Sequence, residues 1–311
     1  MRRTANRSGV SGKFCGTMTH AKPPPDIKPL RGVRILSLAL NLPGPAALMR
    51  LWAMGATCVK VDPPAGDPMH HYNRAAYATL HQGVKVLSAD LRTPAGQKTI
   101  HRELARADVL LTSFRPSGLA KLGLAWKPLH KAYPALSQVA IVGSHGERAE
   151  EPGHDLTYMA EMGLVTGMDM PPTLYADMGG SLMASEAVLK AVLQQHRNGK
   201  GVYLEVALAS AASYLGIPRG WGMTLADGPV GGSHAGYRMY RCKDGRVALA
   251  ALEPHFAAAL CKAAGVTSSD RKVMTAPATH AAVEKFLGTQ TRRQLDALGA
   301  AQDIPLFTLP D

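Results

Sequence analysis

Residues 32–62 read GVRILSLALNLPGPAALMRLWAMGATCVKVD, and this stretch decides the fold. Its first seven residues are mostly apolar and predict a buried strand. The Pro-Gly-Pro turn at Pro43 leads into an apolar helix, which Gly55 ends. The segment TCVKVD then shows the apolar, β-branched pattern of a second strand. A strand, a helix and another strand in this order are typical of a parallel βαβ unit.

The same alternation continues to about residue 208. A helix is predicted over 93–105, with Thr93 as its cap and Pro94 in its first turn. Further strands are predicted at 108–114, 137–143 and 201–208, and further helices at 155–168 and 177–195, the second of them ending near Asn198-Gly199. Apolar strands separated by helices predict an α/β fold, in which helices cover both faces of a parallel sheet. Ligands of such folds bind at the carboxyl ends of the strands.

After residue 228 the pattern changes, and we predict a smaller α+β domain. Residues 237–252 predict a β-hairpin with its turn at Asp244-Gly245. Helices are predicted to begin near His255 and His280, and a domain boundary near residues 220–232. The predicted organisation is a disordered basic tail at 1–29, a large ligand-binding domain at 30–220 and a small domain at 221–311.

The charge of the chain favours anionic ligands but not nucleic acid. The formal net charge is +12, which suits anionic partners in general. Aromatic residues make up only 5% of the chain, and no basic run is interleaved with them. Single-stranded nucleic acids are usually bound by such interleaved aromatics. We therefore expect no nucleic-acid partner.

The remaining composition predicts a cytoplasmic protein without membrane contact. No stretch approaches the ~20 uncharged apolar residues that a membrane helix needs. The first 30 residues are polar and basic, lack the apolar core of a secretory signal, and leave Met18 as an alternative start to Met1. The four cysteines are scattered without a CxxC pair, which predicts reduced thiols and no metal site.

Three segments carry side chains that could act on a substrate. PGHDLTY contains His154 and Asp155 at a predicted helix start, where free backbone N–H groups favour negative charge. YADMGGSLM contains Asp177 before two glycines, which allow close backbone approach to a ligand. Glu253 follows an apolar strand at another helix start. For each acidic residue, helix capping is the simpler alternative interpretation.

Taken in order along the chain, these segments resemble the family III CoA-transferase superfamily. The resemblance runs from about Pro29 to the C-terminus, and the order and spacing of its pieces are specific. The pieces are LRGVRIL from Leu30, PGP from Pro43, GATCVKVDPPAGDP from Gly55, ADLRTPAG from Ala89, FRPSGLAKLGL from Phe114, PGHD from Pro152, the Asp177 segment and NGKG from Asn198.

This resemblance implies a Rossmann-like large domain, a small domain, and two chains threaded through each other as an interlocked homodimer. Coenzyme A would lie along the large domain as part of the acyl-CoA substrate, without a tightly bound cofactor. Arg115 would lie near its nucleotide part, where a guanidinium suits phosphate groups. Asp155 and Tyr158 would lie near the pantetheine.

Within the superfamily, the chain is most similar to the 2-methylacyl-CoA racemases. These have Gly-His-Asp where the transferases commonly have an aromatic residue in place of His154. Their His and Asp, matched by His154 and Asp177, act on opposite faces of the α-carbon, one removing a proton and the other returning one. Their small domain brings a Glu, matched by Glu253, close to the site. The implied catalytic residues are these three, and apolar neighbours such as Met178 and Met183 are expected to raise the pKa of Asp177.

Two other interpretations stay open. In the transferases, the Asp matched by Asp177 attacks the thioester carbonyl and forms an acyl–enzyme intermediate while CoA moves between carboxylic acids. A CoA-binding paralogue without catalysis is the second. Two departures favour it: HQGVK at 81–85 replaces a more basic family segment, and family members usually continue past the position of Asp311. The loop before Asp177 is also shorter than in the racemases. A nicotinamide dehydrogenase is disfavoured because no GxGxxG follows the first strand.

Overall fold

The computed structural model describes residues 27–311, and its N-terminal part forms a six-stranded sheet. The strands are β1 (Arg34–Ser37), β2 (Thr57–Asp62), β3 (Lys85–Ser88), β4 (Val109–Thr112), β5 (Ser137–Val142) and β6 (Tyr203–Ala207). All neighbours are parallel, in the order β3-β2-β1-β4-β5-β6. This is the strand order of a doubly wound sheet. Strands β1 to β3 are added toward one edge and β4 to β6 toward the other, so the strand order reverses between β1 and β4. The predicted parallel α/β fold is confirmed.

Helices cover both faces of this sheet. They are α1 (Pro43–Ala53), α2 (Pro68–Tyr72), α3 (Arg74–Leu80), α4 (Pro94–Leu104), α5 (Pro116–Lys121), α6 (Trp126–Ala132), α7 (Asp155–Glu161), α8 (Tyr175–Asn198), α9 (Leu208–Leu215) and α10 (Ile217–Gly220). Successive strand residues point to opposite faces. Ile35 packs with Leu48 of α1 and Val188 of α8, whereas Leu36 packs with Ile100 of α4. Burial on both faces explains the nearly continuous apolar character of β1.

The C-terminal part contains a three-stranded antiparallel sheet with four helices. Its elements are β7 (Tyr237–Cys242), β8 (Gly245–Ala250), α11 (Pro254–Ala264), α12 (Arg271–Met274), α13 (Pro277–Gly288), α14 (Arg292–Gln302) and β9 (Leu306–Leu309). The predicted hairpin is present, but its turn is Lys243-Asp244, because Gly245 already pairs with Cys242. A Cβ at Gly245 would lie 2.3 Å from the carbonyl oxygen of Leu309, so β9 requires a glycine here.

Two helix boundaries in the middle of the chain differ from the predicted ones. Helix α7 ends at Glu161 rather than at residue 168, since Gly163 adopts a left-handed conformation with a φ of 68°. Met168 beyond it is 99% exposed and packs in no core. Helix α8 begins two residues before the predicted start at Asp177, and it ends as predicted near Asn198-Gly199, where Gly199 takes the left-handed cap position.

Other expectations concern membranes, cysteines and domain limits. No helix within residues 27–311 is long and apolar enough to cross a membrane, and those residues contain no cluster of three metal-binding side chains. Cys58, Cys242 and Cys261 are free and buried, and burial raises the pKa of the Cys58 thiol to about 12. Cys15 and most of the predicted tail lie outside the described residues. The division between residues 220 and 221 stays a prediction.

Candidate functional site

A cavity of about 170 Å³ opens at the carboxyl ends of β1, β4 and β5. The sheet order reverses at this point, which is where doubly wound folds bind ligands. The loops after β1 and β4, the end of β5, helix α7 and the first turn of α8 contribute to its walls. Its polar lining residues are Asn41, Ser113, Arg115, Glu151, His154, Tyr158 and Asp177. The fold thus gathers four of the predicted site residues around one small space.

Asp177 lies in the first turn of α8 and is partly buried beside the cavity. The pKa of its carboxyl group is raised to about 6, chiefly by burial and then by the charge of the nearby Asp155, while His154 opposes the shift. The pKa of Asp177 is raised, as predicted, but the causes of the shift differ in part from the predicted ones. Met178 is 41% exposed and does not line the cavity, whereas the second carboxylate had not been foreseen as a cause. A carboxyl group tuned in this way can exchange a proton near neutral pH.

His154 occupies the N-cap position of α7 and lines the cavity. Thr157 fixes the backbone there: its Oγ1 accepts a hydrogen bond from the His154 N–H at 3.1 Å and donates one to the His154 carbonyl at 2.7 Å. The alternative interpretation of Asp155 was that it caps this helix, but the N-cap residue of α7 is His154. The sequence therefore fastens the backbone through Thr157 and leaves the imidazole on the cavity wall.

Asp155 lies behind the cavity rather than on its wall. It is 4% exposed, and its Oδ1 accepts a hydrogen bond from the backbone N–H of Asp177 at 3.0 Å. The contact ties the start of α7 to the start of α8, and so sets the relative positions of His154 and Asp177. The contact between Asp155 and pantetheine implied by the family resemblance stays a prediction.

Tyr158 and Arg115 complete the predicted set on the cavity wall. Tyr158 is 8% exposed, and its hydroxyl lies against two glycines. A Cβ at Gly143 or Gly153 would approach that oxygen to 2.4 or 2.5 Å, so both positions require glycine. Burial, followed by the charge of Asp177, raises the pKa of Tyr158, while the charge of Arg115 lowers it. Arg115 thus acts electrostatically on the cavity from the loop after β4.

Glu253 is not among the residues that line this cavity. It is exposed at the N-cap position of α11, next to the three-stranded sheet, and its side chain makes no capping hydrogen bond. Within one chain the structure does not bring it to His154 and Asp177. Its catalytic role stays a prediction.

Three polar residues of the cavity wall were not predicted from the sequence: Asn41, Ser113 and Glu151. Asn41 was interpreted only as part of a turn, and a single sequence gives no sign that this turn borders a ligand site. Ser113 and Glu151 likewise lie in loops without a motif of their own. Only the folded arrangement identifies them.

Known proteins are similar to this chain over most of its described length. The family model described as CoA-transferase family III matches residues 30–309. Human alpha-methylacyl-CoA racemase is 30% identical over 265 residues, covering 78% of this chain and 66% of the relative. Succinyl-CoA--D-citramalate CoA-transferase of Chloroflexus aurantiacus is 34% identical over 208 residues, covering 61% of this chain and 51% of the relative. The chain thus spans about half to two thirds of the length of these curated relatives.

Solved structures show the same architecture. A CAIB/BAIF family protein from Brucella suis superimposes with a TM-score of 0.76 at 25% identity, covering 92% of this chain and 85% of the other. A hypothetical protein from Mycobacterium tuberculosis gives 0.78 at 27% identity, covering 91% and 84%. The family model, the relatives and the fold agree: the chain belongs to CoA-transferase family III.

Proposed function

We propose that the protein epimerises the α-carbon of a 2-methyl-branched acyl-CoA by proton transfer. The observation that carries this proposal is the presence of His154 and Asp177 on the wall of one cavity, with the pKa of Asp177 raised to about 6. Racemisation needs two proton-transfer groups, because the proton leaves one face of the α-carbon and returns to the other. A human racemase is among the similar proteins, which supports the assignment.

The proposed reaction is balanced in protons. The ionised Asp177 takes the α-proton, and the electron pair of the broken C–H bond moves into the thioester as an enolate. Protonated His154 then donates a proton to the opposite face of the α-carbon, which leaves Asp177 protonated and His154 neutral. The reverse direction exchanges their roles. A base whose pKa lies near the working pH is suited to both directions.

Transfer of CoA between carboxylic acids is the second candidate function. It is favoured by the transferases among the relatives, including the one from Chloroflexus aurantiacus. Here the Asp177 carboxylate would attack the thioester carbonyl and expel the CoA thiolate, forming an acyl anhydride on the enzyme. Partial burial would strip water from that nucleophile. The cavity histidine favours epimerisation, since a transferase needs only the carboxylate.

Mass spectrometry in deuterated water tests the proposal. With a panel of acyl-CoAs and no acceptor acid, the protein is expected to incorporate one α-deuterium into 2-methyl-branched substrates. Asp177→Asn keeps the shape of the side chain and removes one base, so it is the matched control: it should epimerise no substrate and should lose incorporation into the epimer that Asp177 deprotonates. Transfer of CoA to an added carboxylic acid, without deuterium uptake, would instead establish the transferase. If the protein catalyses neither reaction, both candidate functions are wrong.

The substrate's CoA moiety is proposed to lie along the carboxyl edge of the sheet, with Arg115 holding its phosphates and Tyr158 beside its pantetheine. Both residues line the cavity, which supports one continuous site for the CoA moiety and the reacting thioester. A guanidinium binds phosphate with paired hydrogen bonds. No tightly bound cofactor is needed for the proposed proton transfer.

The exposed apolar surface on α8 to α10 supports a homodimer. Leu182 of α8, Tyr214 and Leu215 of α9, and Trp221 after α10 are 53%, 70%, 44% and 73% exposed. These helices are adjacent, because Gly179 of α8 lies against Leu215. A contiguous patch of large apolar residues usually marks an interaction surface. A second copy of this chain is the proposed occupant.

We expect light scattering to give the mass of a dimer at micromolar concentration. Two charges placed on the patch, Tyr214→Glu with Trp221→Glu, should shift the protein to the monomer, because buried unpaired carboxylates are costly. Tyr72→Glu is the control, since Tyr72 is 77% exposed on the distant helix α2. A wild-type monomer, or a double variant that stays dimeric, would contradict the proposed interface.

A further inference from the structure

The loop between β1 and α1 is fixed by side chains from three different places. The backbone N–H of Ala39 donates to Ser37 Oγ at 3.2 Å, and that of Leu40 donates to Ser113 Oγ at 3.0 Å. The N–H of Asn41 donates to Asp67 Oδ1 at 3.0 Å. Three consecutive backbone groups are thus bound by side chains. Such a loop is held in one conformation before any ligand arrives.

A buried ionic cluster, comprising Lys60, Asp62, Asp67 and Tyr77, stands behind this loop. Lys60 is completely buried and pairs with Asp67 and, at 2.8 Å, with Asp62. Tyr77 donates its hydroxyl proton to the other oxygen of Asp62 at 2.9 Å. Desolvating such charges is costly, and good geometry only partly offsets the cost. Since the cluster ends on the backbone of Asn41, it fixes the conformation of the cavity wall.

Asn41 itself has two unusual features. Its φ is 64°, in the left-handed region that asparagine tolerates better than most residues. Its side chain lines the cavity together with His154 and Asp177, yet its Oδ1 is buried without a hydrogen-bond partner among the described residues. Because Oδ1 has no partner within residues 27–311, no hydrogen bond to this oxygen holds the amide group in one orientation.

From this juxtaposition we infer that the Asn41 side chain is a hydrogen-bond donor to the thioester oxygen of the bound acyl-CoA. The amide can turn its NH₂ group toward a ligand without breaking any bond of Oδ1. A neutral amide also remains a donor at every working pH, whereas an ionised carboxylate such as Asp177 accepts only. The ionic cluster holds the loop so that this donor is in place in advance.

The inference rests on the proposed function and applies to both of its forms. Removal of the α-proton makes an enolate, and attack by a carboxylate makes a tetrahedral intermediate. Each places negative charge on the same thioester oxygen. A preorganised donor at that oxygen stabilises the charge more than it stabilises the neutral substrate, and so accelerates the reaction.

Two variants of Asn41 test the inference. Asn41→Gly removes the amide and adopts the left-handed backbone readily, so the loop should keep its shape. Asn41→Asp keeps the size of the side chain and replaces the donor by an acceptor. We expect kcat to fall by about 100-fold in the glycine variant, the loss typical of one missing oxyanion donor, and KM to rise by no more than about tenfold, the worth of one ordinary hydrogen bond to the substrate. The aspartate variant should lose at least as much.

A binding measurement makes the test independent of turnover. Calorimetry compares acetyl-CoA with S-ethyl-CoA, which lacks the carbonyl oxygen. One hydrogen bond of ordinary strength should make the wild type prefer acetyl-CoA by about three- to tenfold, and Asn41→Gly should abolish that preference. If the wild type binds both ligands equally, or the glycine variant keeps its preference and its kcat, this inference alone is wrong. If the wild type binds neither ligand, the proposed function falls with it.

Discussion

Replacing Asp177 by alanine is expected to lower the rate of α-deuterium incorporation into the epimer that Asp177 deprotonates by about 10³- to 10⁴-fold, the upper range for loss of a general base. Asp177 lines the cavity from the first turn of α8 and is proposed to be the group that removes the α-proton. Exchange is measured by mass spectrometry in deuterated water on both epimers of the substrate. Unchanged exchange in this variant would exclude Asp177 from the reaction.

His154→Ala separates the two candidate reactions. Under epimerisation, the variant should invert no substrate, while Asp177 still exchanges the α-proton of one epimer. Under transfer, the variant should be nearly as active as the wild type, because the nucleophile is intact. His145→Ala is the matched control, since His145 is also exposed but contacts Glu205 outside the cavity. Full epimerisation by the His154 variant would refute the assignment, and a trapped acyl–Asp177 adduct would support the transferase.

The pH dependence of the reaction tests the same assignment of Asp177 as a base. The pKa of Asp177 is raised from 3.8 to about 6, so its ionised, proton-accepting form appears as pH rises through about 6 instead of about 4. In the direction where Asp177 is the base, kcat/KM of the wild type should therefore increase as the pH rises through about 6. An ordinary exposed aspartate would already be fully ionised there.

The sequence predicted the large sheet because its strands are apolar on both faces. β1 and β2 lie between two helix layers, so residues of both alternating sets are mostly apolar; the buried charges of Lys60 and Asp62 in β2 are exceptions. β3 was missed for the opposite reason: it is an edge strand with mostly exposed side chains, and residues 85–88 give only a weak apolar signal. The end of α7 was also mispredicted, since nothing in the sequence requires Gly163 to take a left-handed conformation.

The candidate site shows the same division between local and long-range information. Arg115, His154, Tyr158 and Asp177 lie in recognisable segments, and the fold brings all four to one cavity. The effect of Asp155 on the pKa of Asp177 links residues 22 positions apart through the packing of α7 on α8. Such an effect depends on distance in space, which no local pattern records.

The ionic cluster behind the β1–α1 loop provides the largest expected effect on stability. Asp67→Ala should lower the free energy of unfolding by about 3–5 kcal/mol, because it leaves Lys60 buried with one of its two partners removed. Urea denaturation followed by circular dichroism measures the change. Asp90→Ala is the control, since Asp90 pairs with the exposed Arg92 at the surface and its loss should have little effect. A loss no larger than that of the control would show that the cluster does not stabilise the fold.

Further substitutions separate stability from positioning. Adding Lys60→Met and Asp62→Asn to Asp67→Ala removes all three buried charges and puts apolar volume in place of Lys60, so part of the lost stability should return. The backbone N–H of Asn41 would still lack its acceptor at Asp67, and the loop would no longer be held in advance. We therefore expect the triple variant to regain stability without regaining kcat. Recovery of both together would mean that Asp67 acts on turnover only through global stability, and not by placing Asn41.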